Sequence, residues 1–395
     1  MDSIKHLIIE NQIKELFSLV IFIFLLIFSS EAFFKKLSTN KNTNRKIIHL
    51  VIGILTSLSP FMLVSNRYPI LISFIFIIIN IFSIKLNFLK SLNSVKGSYG
   101  IVFFPFSYLA LSLFFWNEPI YIVMPMLILG ISDPSASYIG NKFKNVKKYY
   151  IGSDGKTIPG TISFFIISFM ITGLIFQIFR TDISTIELFI ISLLLSFIAS
   201  ISELISFKGS DNLSIPFLVV LSLQILSKNI NNISLFFLEY TIITIFLYIY
   251  FKKGSLSISG LFTSLVMAFL IFGFGGYLYL IPIATFFILT SLLGKLFENK
   301  RDHKPSRDLY QVMCNGGLSL FLCILNQYYK SDYIYYIYLA TISASMADSW
   351  ATEIGNNFKG VTYNITNLNK IKKGLSGGVS LHGTIGSIIG SSIIG

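Results

Sequence analysis

The sequence predicts an all-α, polytopic transmembrane protein of about fourteen spans, built as two related halves that run in the same direction across the membrane. Of its 395 residues, 53% are hydrophobic and only 12% are charged, and the mean hydropathy is +0.73. This composition excludes a soluble domain of this length. Long apolar runs recur along the whole chain, and an acid-bearing motif occurs twice.

The spans are predicted from apolar runs of about 17–25 residues, the length that crosses a bilayer as a helix. The first run has no small-residue cleavage site, which favours a retained helix over a signal peptide. The halves are predicted to be residues 1–228 and 229–395. We place the spans near residues 16–34, 47–64, 68–86, 100–116, 119–140, 159–179, 184–205, 212–227, 232–251, 256–272, 275–293, 309–326, 332–356 and 376–395.

The distribution of lysine and arginine predicts the orientation, because these residues accumulate in cytoplasmic loops. With the N-terminus outside, most of the 31 basic residues fall in inside loops, and the outside segments hold only Lys5, Lys14, Arg67, Arg180, Lys228 and Lys330. Every motif loop then faces the cytoplasm, where nucleoside triphosphates are found. The net charge of +13 is explained by these loops. We therefore expect a lipid bilayer as partner and no nucleic acid.

Two predicted spans carry the same acid-bearing motif within an apolar run. Asp133, Ala136 and Gly140 recur at identical spacing as Asp348, Ala351 and Gly355. An ionisable group inside a span is a functional-site candidate, and a carboxylate near the cytoplasmic end suits Mg²⁺ bridging to phosphates. The alternative is a buried acid that pairs with a loop lysine for structure. The recurrence favours function. Further candidate metal ligands are Glu203, Asp211 and Glu353.

Basic loops with glycines follow both acidic spans. Lys156 and Lys372 lie at nearly the same distance after their acids, and each precedes a new apolar run. Lysines can neutralise phosphate oxygens, and glycines at a helix N-terminus expose N–H groups to anions. Neither loop is a Walker motif. The candidate nucleotide- or phosphate-binding residues are Thr157, Gly160, Lys96, Gly140, Gln311, Asn315, Gly355, Gly374, Gly377 and Gly378.

A third pair of motifs lies at the beginning of two other predicted spans. Arg45, His49 and Gly53 are each four residues apart, as are Arg307, Gln311 and Asn315. His49 lies one turn from Arg45 and is a candidate phosphate ligand or base, with a structural role as the alternative. Asp211 is either a metal ligand or a helix N-cap. The candidate catalytic residues are Asp133, Lys156, His49, Arg45, Asp348, Lys372 and Arg307.

Residues 40–227 resemble the phytol kinase and dolichol kinase family. The matching motifs are RKIIHLVIG, KGSYG, the Asp133 helix, KTIPGT, and Glu203 with DNLSIP. The resemblance implies phosphate transfer, usually from CTP, to a long-chain isoprenoid alcohol. Dolichol kinases often have Gly before the acid and Glu before the loop glycine. Ser132 and Pro159 stand there, which is closer to phytol kinases.

Residues 252–395 resemble the membrane family that includes plant phytyl-phosphate kinase. The matching stretches are GSLSISG, RDLYQVMCNGG, ADSWATEIG and KKGLSGGVSLHGTIGS. This resemblance implies phosphorylation of an isoprenyl monophosphate to the diphosphate.

Together the two resemblances imply a fused salvage enzyme. It would use Mg²⁺ and CTP to convert phytol or a related prenol to its monophosphate and then its diphosphate, for tocopherol, quinone or chlorophyll precursors. Two alternatives remain. A cytidylyltransferase resembling phosphatidate cytidylyltransferase would use the same acid and lysine to attach CMP to a lipid phosphate. A transporter would use the basic loops as gates, although many transporters are inverted rather than parallel repeats.

Overall fold

The computed structural model describes residues 41–86, 98–143, 146, 148–151, 154–180, 182–297 and 306–395, with the side chains of 41–45, 151 and 154 excepted. Its Cα positions divide into two compact units, Met1–Phe237 and Leu238–Gly395. The division falls inside a helix, Ile233–Lys252, a few residues after the predicted boundary at residue 228.

The first unit is a helical bundle with one short hairpin. Its helices are α1 (Lys41–Met62), α2 (Arg67–Leu86), α3 (Gly100–Phe114), α4 (Ile120–Leu127), α5 (Asp133–Lys142), α6 (Ile158–Phe179), α7 (Thr185–Ile205), α8 (Asp211–Lys228) and the start of α9 (Ile233–Lys252). A π-helical turn, Ile128–Ser132, joins α4 to α5, and strands β1 (Lys148–Ile151) and β2 (Asp154–Thr157) form an antiparallel hairpin between α5 and α6. Helix α1 packs on α4, α2 on α3, α6 on α5 and α7, and α8 on α7.

The second unit repeats the scheme of helices with an inserted sheet. It contains most of α9, α10 (Ile258–Leu296), α11 (Leu309–Tyr329), α12 (Asp332–Asn357) and α13 (Leu381–Ile394). Between α12 and α13 lie β3 (Thr362–Asn364), β4 (Lys370–Ile371) and β5 (Gly378–Val379), which form an antiparallel sheet in the order β4-β3-β5. Each helix from α10 to α13 packs on the next one along the chain.

Within the described ranges, seven helices are long and apolar enough to cross a membrane. They are α2, α4–α5 as one helix, α6, α7, Ile230–Lys252, α10 and α11. Three shorter apolar helices are Lys46–Met62, Gly100–Phe114 and Leu381–Ile394. The predicted span at 16–34 lies outside the described residues, and the runs at 212–227 and 332–356 form helices that are not among the seven. The total of fourteen spans stays a prediction.

Helix α10 is broken in the middle by a glycine. Gly276 has φ 61° and ψ −155°, a conformation open essentially to glycine alone. The break separates Ile258–Gly275 from the rest of α10. This is the place where the sequence predicts the boundary between the spans at 256–272 and 275–293.

Exposed tyrosines surround this break and the α11–α12 turn. They are Tyr277, Tyr328, Tyr329, Tyr333 and Tyr336. Tyrosine is enriched at the membrane–water boundary, where its ring meets lipid and its hydroxyl meets water. This band therefore marks one interfacial end of the second unit, opposite to the end that carries the sheet.

Candidate functional site

The acidic helix of the first unit is distorted immediately before Asp133. In a regular helix the residue at 134 would donate to the carbonyl of residue 130, but Pro134 has no N–H and its ring crowds that carbonyl. The chain takes a π-helical turn over Ile128–Ser132 instead. Such turns occur frequently at functional sites. Asp133 is the first residue after this turn.

Helix α1 packs closely on the π-helical turn. A Cβ on Gly53 would lie 2.4 Å from the Gly130 Cα, so two glycines meet backbone to backbone. One turn away on each helix, His49 Nε2 lies 4.0 Å from Asp133 Oδ2, with 20% and 24% of the two side chains exposed. The His49 ring packs edge-on against Phe104 with centroids 5.3 Å apart. Both candidate residues are therefore brought together, partly accessible, in the first unit.

Lys156, at the end of the hairpin, forms a buried ion pair. Its Nζ lies 2.5 Å from Glu203 Oε1, and the side chains are 16% and 7% exposed. Burial lowers the lysine pKa, but Glu203, Asp211 and Asp133 together raise it above its ordinary value of 10.5. Because the folded-state pKa is raised, the protonated Lys156 favours the folded state, and this contribution is lost as pH rises above 10.5 through the folded-state pKa. Lys156 stays charged at neutral pH.

Asp211 completes this group from the first turn of α8. Its Oδ1 accepts a hydrogen bond from the Asn212 N–H at 2.9 Å. Ser210, not Asp211, occupies the N-cap position, and no side-chain cap hydrogen bond forms there. Asp211 is therefore not the N-cap of α8, which was the alternative role that the sequence left open.

A tight contact between α5 and the beginning of α6 holds the end of the hairpin that carries Lys156. A Cβ on Gly160 would lie 3.0 Å from both the Ala136 carbonyl oxygen and Thr157 Oγ1, and 3.6 Å from the Gly140 Cα. Thr157 Oγ1 accepts the Gly160 N–H at 3.3 Å and caps α6. We call this arrangement of alanine carbonyl, two glycines and capping hydroxyl the cap cradle. It fixes the hairpin against the acidic helix.

The second unit contains the same cap cradle. A Cβ on Gly383 would lie 3.2 Å from the Ala351 carbonyl oxygen, 3.1 Å from Ser380 Oγ and 3.6 Å from the Gly355 Cα. Ser380 Oγ accepts the Gly383 N–H at 3.2 Å and caps α13. The repeated motif of the acidic helices therefore packs in the same way in both units.

This match corrects the predicted pairing of the loops. The cap cradles pair Thr157 with Ser380, so TIPGT corresponds to SLHGT, and Lys156 corresponds to Val379 rather than to Lys372. Lys372 is exposed between β4 and β5. The second loop contains an additional strand, so similar distances along the chain do not place equivalent residues at equivalent points.

The third predicted pair of motifs is also reflected in packing. In the first unit, Gly53 contacts Gly130. The corresponding positions in the second unit are Asn315 and Ser345, and there Ser345 Oγ donates a hydrogen bond to the Asn315 carbonyl at 3.0 Å. Since Asp348 is one turn beyond Ser345 and Gln311 is one turn before Asn315, both lie toward the same end of the α11–α12 pair. Gln311 and Asp348 are exposed.

Arg307 contacts α10. Its guanidinium donates to Thr290 Oγ1 at 2.9 Å and Ser291 Oγ at 3.4 Å, and it packs over the Phe287 ring at 5.5 Å. Its catalytic role stays a prediction.

The remaining predicted residues are dispersed. Glu353 is buried in α12. Gly374 and Gly377 have φ of 81° and 78°, which only glycine adopts without strain, and Gly378 begins β5. Lys96 and the side chain of Arg45 lie outside the described residues. Sequence analysis did not single out Ser380 and Gly383, although the likeness of SLHGT to TIPGT could have indicated them.

Across the described ranges, no three His, Cys, Asp or Glu side chains converge closely enough to hold a metal ion by themselves. Mg²⁺, however, is commonly held by one or two carboxylates together with phosphate oxygens of the substrate. Asp133 and Asp211 both act electrostatically on Lys156, and they are the candidate carboxylates for this second mode.

Comparisons with known proteins define the class as an integral, multi-pass membrane protein. Residues 241–395 match the sequence profile of the family described as integral membrane protein DUF92. A stretch of 148 residues is 28% identical to an uncharacterized membrane protein of Methanocaldococcus jannaschii; it covers 36% of this chain and 62% of that protein, less than two thirds of its length. No solved structure matches the chain.

We expect the two capping hydroxyls to stabilise their units to a similar degree. Thr157→Ala and Ser380→Ala should each lower the free energy of unfolding by about 1 kcal/mol, because each leaves a helix N–H without its acceptor. Thr161→Ala and Thr384→Ala are matched controls, since these hydroxyls only donate back to the helix carbonyls of Thr157 and Ser380. Equal losses for caps and controls, measured by SDS titration in mixed micelles, would contradict the cap cradle.

Proposed function

We propose that the protein phosphorylates a long-chain isoprenoid alcohol in the first unit and the resulting monophosphate in the second. Phytol or a related prenol such as geranylgeraniol or farnesol would be the substrate, and CTP the donor. The observation that carries the proposal is the first-unit group, in which α1, α5, β2, α7 and α8 bring His49, Asp133, Lys156, Glu203 and Asp211 to one end of a membrane bundle.

The charge of this group supports a nucleotide bound with a divalent cation. Three carboxylates act on one lysine, so with His49 neutral the group is negatively charged. A triphosphate alone would be repelled. Bound Mg²⁺ would supply charge neutralisation on the phosphates, with Asp133 and Asp211 as its protein ligands.

Each residue then has a defined task in the first transfer. The prenol oxygen attacks the terminal phosphorus of the nucleotide, the bond to the bridging oxygen breaks, and the nucleoside diphosphate leaves. Lys156, held in place by Glu203, stabilises charge on the transferring group. His49 accepts the alcohol proton, and the neighbouring Asp133 carboxylate stabilises the imidazolium that forms. Such catalysis consists mainly of positioning and electrostatics.

The second unit differs in the ways that a phosphate acceptor requires. An isoprenyl monophosphate is already ionised and needs no base, and Gln311 stands where the first unit has His49. Asp348 lies toward the same end as Gln311, and Lys372 of the β4–β5 loop is exposed and would contact phosphate. This difference supports the proposed two-step order.

The direct test incubates purified protein with phytol, Mg²⁺ and either CTP or ATP, and separates phytyl monophosphate from diphosphate by mass spectrometry. We expect both products together with the nucleoside diphosphate. Release of pyrophosphate with a cytidylylated lipid would indicate cytidylyl transfer instead. Flux of a lipid or ion across vesicles without nucleotide, unchanged by Asp133→Asn, would indicate a transporter.

A further inference from the structure

The sheet between α12 and α13 exposes both aliphatic and positively charged side chains. We call residues 358–380 the lysine sheet. Its base is fixed, because the Phe358 ring stacks on His382 with centroids 5.5 Å apart and meets Phe297 at 5.9 Å. The Lys373 ammonium donates to the Phe358 carbonyl. The sheet is thus attached at the ends of α10, α12 and α13, and its turns project from this base.

The β3–β4 turn presents aliphatic side chains outward. Ile365 is 66% exposed and Leu368 is 74% exposed. The turn is held by its own polar groups: Asn364 Oδ1 accepts from the Thr366 N–H and hydroxyl, and the Asn364 carbonyl accepts the Leu368 N–H. Polar groups therefore close the turn, while most of the surface of both aliphatic side chains is exposed. Removing them from water would be favourable wherever an apolar surface is available.

Positive charge accompanies these aliphatic groups. Lys359, Lys370, Lys372 and Lys373 are all exposed, and the stretch 358–380 contains no acidic residue. Lys370 pairs with Tyr363 across the strands beside the turn. Lysines that flank exposed aliphatic side chains are typical of elements that lie in the interface of an anionic bilayer.

We propose that the lysine sheet docks on the anionic phospholipid headgroups of the bilayer that holds the protein, with Ile365 and Leu368 inserted below them. Charge complementarity selects anionic lipid, and the aliphatic turn selects a surface over a soluble anion. The sheet lies at the ends of membrane helices, so a headgroup layer is within reach without unfolding. Docking would hold the β4–β5 loop at the depth where a lipid head group lies. This inference goes beyond the proposed function, with which it shares Lys372, and its test uses neither nucleotide nor prenol, so either proposal can fail without the other.

The test places an environment-sensitive nitrobenzoxadiazole probe on the turn of the full-length protein. Cys314→Ser and Cys323→Ala remove the native thiols, and Leu368→Cys provides the attachment point. The protein is reconstituted in phosphatidylcholine vesicles with and without phosphatidylglycerol. We expect the probe emission to shift to shorter wavelength and to be quenched by doxyl-labelled lipid when the anionic lipid is present, and both effects to weaken with added salt.

Three further variants sharpen the result. Lys359→Gln with Lys370→Gln should lower the ratio of docked to free turn about 25-fold, roughly fivefold for each lysine. A probe at Asn231→Cys, on an exposed turn without this sheet, should not respond to phosphatidylglycerol. Ile365→Cys repeats the measurement if the first labelled variant is unstable. Equal emission in both vesicle types, or a shift produced by inorganic phosphate alone, would overturn the proposal.

Discussion

Replacing Asp133 by asparagine is expected to abolish both phosphorylated products when phytol is the substrate. The change keeps the shape of the side chain and leaves Pro134 in place, so the fold should persist. What is lost is the negative charge beside His49 and the candidate Mg²⁺ ligand. Removing one group that stabilises charge in a transition state commonly lowers kcat by about 100- to 1000-fold. Product formation from phytol and CTP measures the effect.

The corresponding change in the second unit should give a different product pattern. Asp348→Asn is expected to leave the first transfer intact, so that phytyl monophosphate accumulates and diphosphate is lost. Supplying the monophosphate should restore diphosphate synthesis in Asp133→Asn but not in Asp348→Asn. The two variants therefore separate the steps within one chain.

Asp182→Asn is the matched control for both variants. Asp182 is an exposed acid in the turn between α6 and α7, and its replacement should change neither product. Normal monophosphate synthesis by Asp133→Asn would refute the assigned site. Loss of both products in all three variants would point to a general fault in folding, and helix content by circular dichroism distinguishes that outcome.

The helices could be predicted from the sequence because lipid imposes one strong rule. A span needs a long apolar run, and its backbone must satisfy its own hydrogen bonds. The predicted run at 159–179 corresponds to α6 (Ile158–Phe179), and the run at 184–205 to α7 (Thr185–Ile205). The break of α10 at Gly276 falls where two runs were separated by glycines.

The π-helical turn could not be predicted in this way. Apolar periodicity cannot distinguish a regular helix from one that gains a residue in a single turn. The local signal is Pro134 following an acid, and many membrane helices contain proline without such a turn. The contact of Gly53 with Gly130 is equally hidden, because it joins two helices that the sequence treats separately.

The ion pair of Lys156 with Glu203 illustrates a different limit. The sequence identified both residues as candidates, but it assigned the lysine to phosphate and the acid to metal. Only the packing of the hairpin against α7 shows that they contact each other. The pairing of Lys156 with Lys372 was wrong for a related reason, since a count of residues does not register the additional strand in the second loop.

The second large effect that we expect is a loss of stability when the buried ion pair is broken. The loss should differ between replacing Lys156 and replacing Glu203. Lys156→Met leaves Glu203 buried without its counterion, and removing one member of a buried pair typically costs about 3–5 kcal/mol. Glu203→Gln should cost less, because Asp211 and Asp133 still attract the lysine. We expect SDS titration in mixed micelles, followed by circular dichroism, to rank the variants in this order.

The double variant tests whether the two side chains act as a pair. Lys156→Met with Glu203→Gln removes both charges, so it should be at least as stable as Lys156→Met alone, although independent sites would give the sum of the two losses. Lys142→Met is the matched control, since Lys142 is exposed at the end of α5 and its loss should change stability by no more than about 0.5 kcal/mol. Additive losses would mean that Glu203 does not hold Lys156 in solution. The lysine would then be free to turn away from the carboxylates, and the proposal that Glu203 positions it for phosphate would fail even if Lys156 itself proved essential.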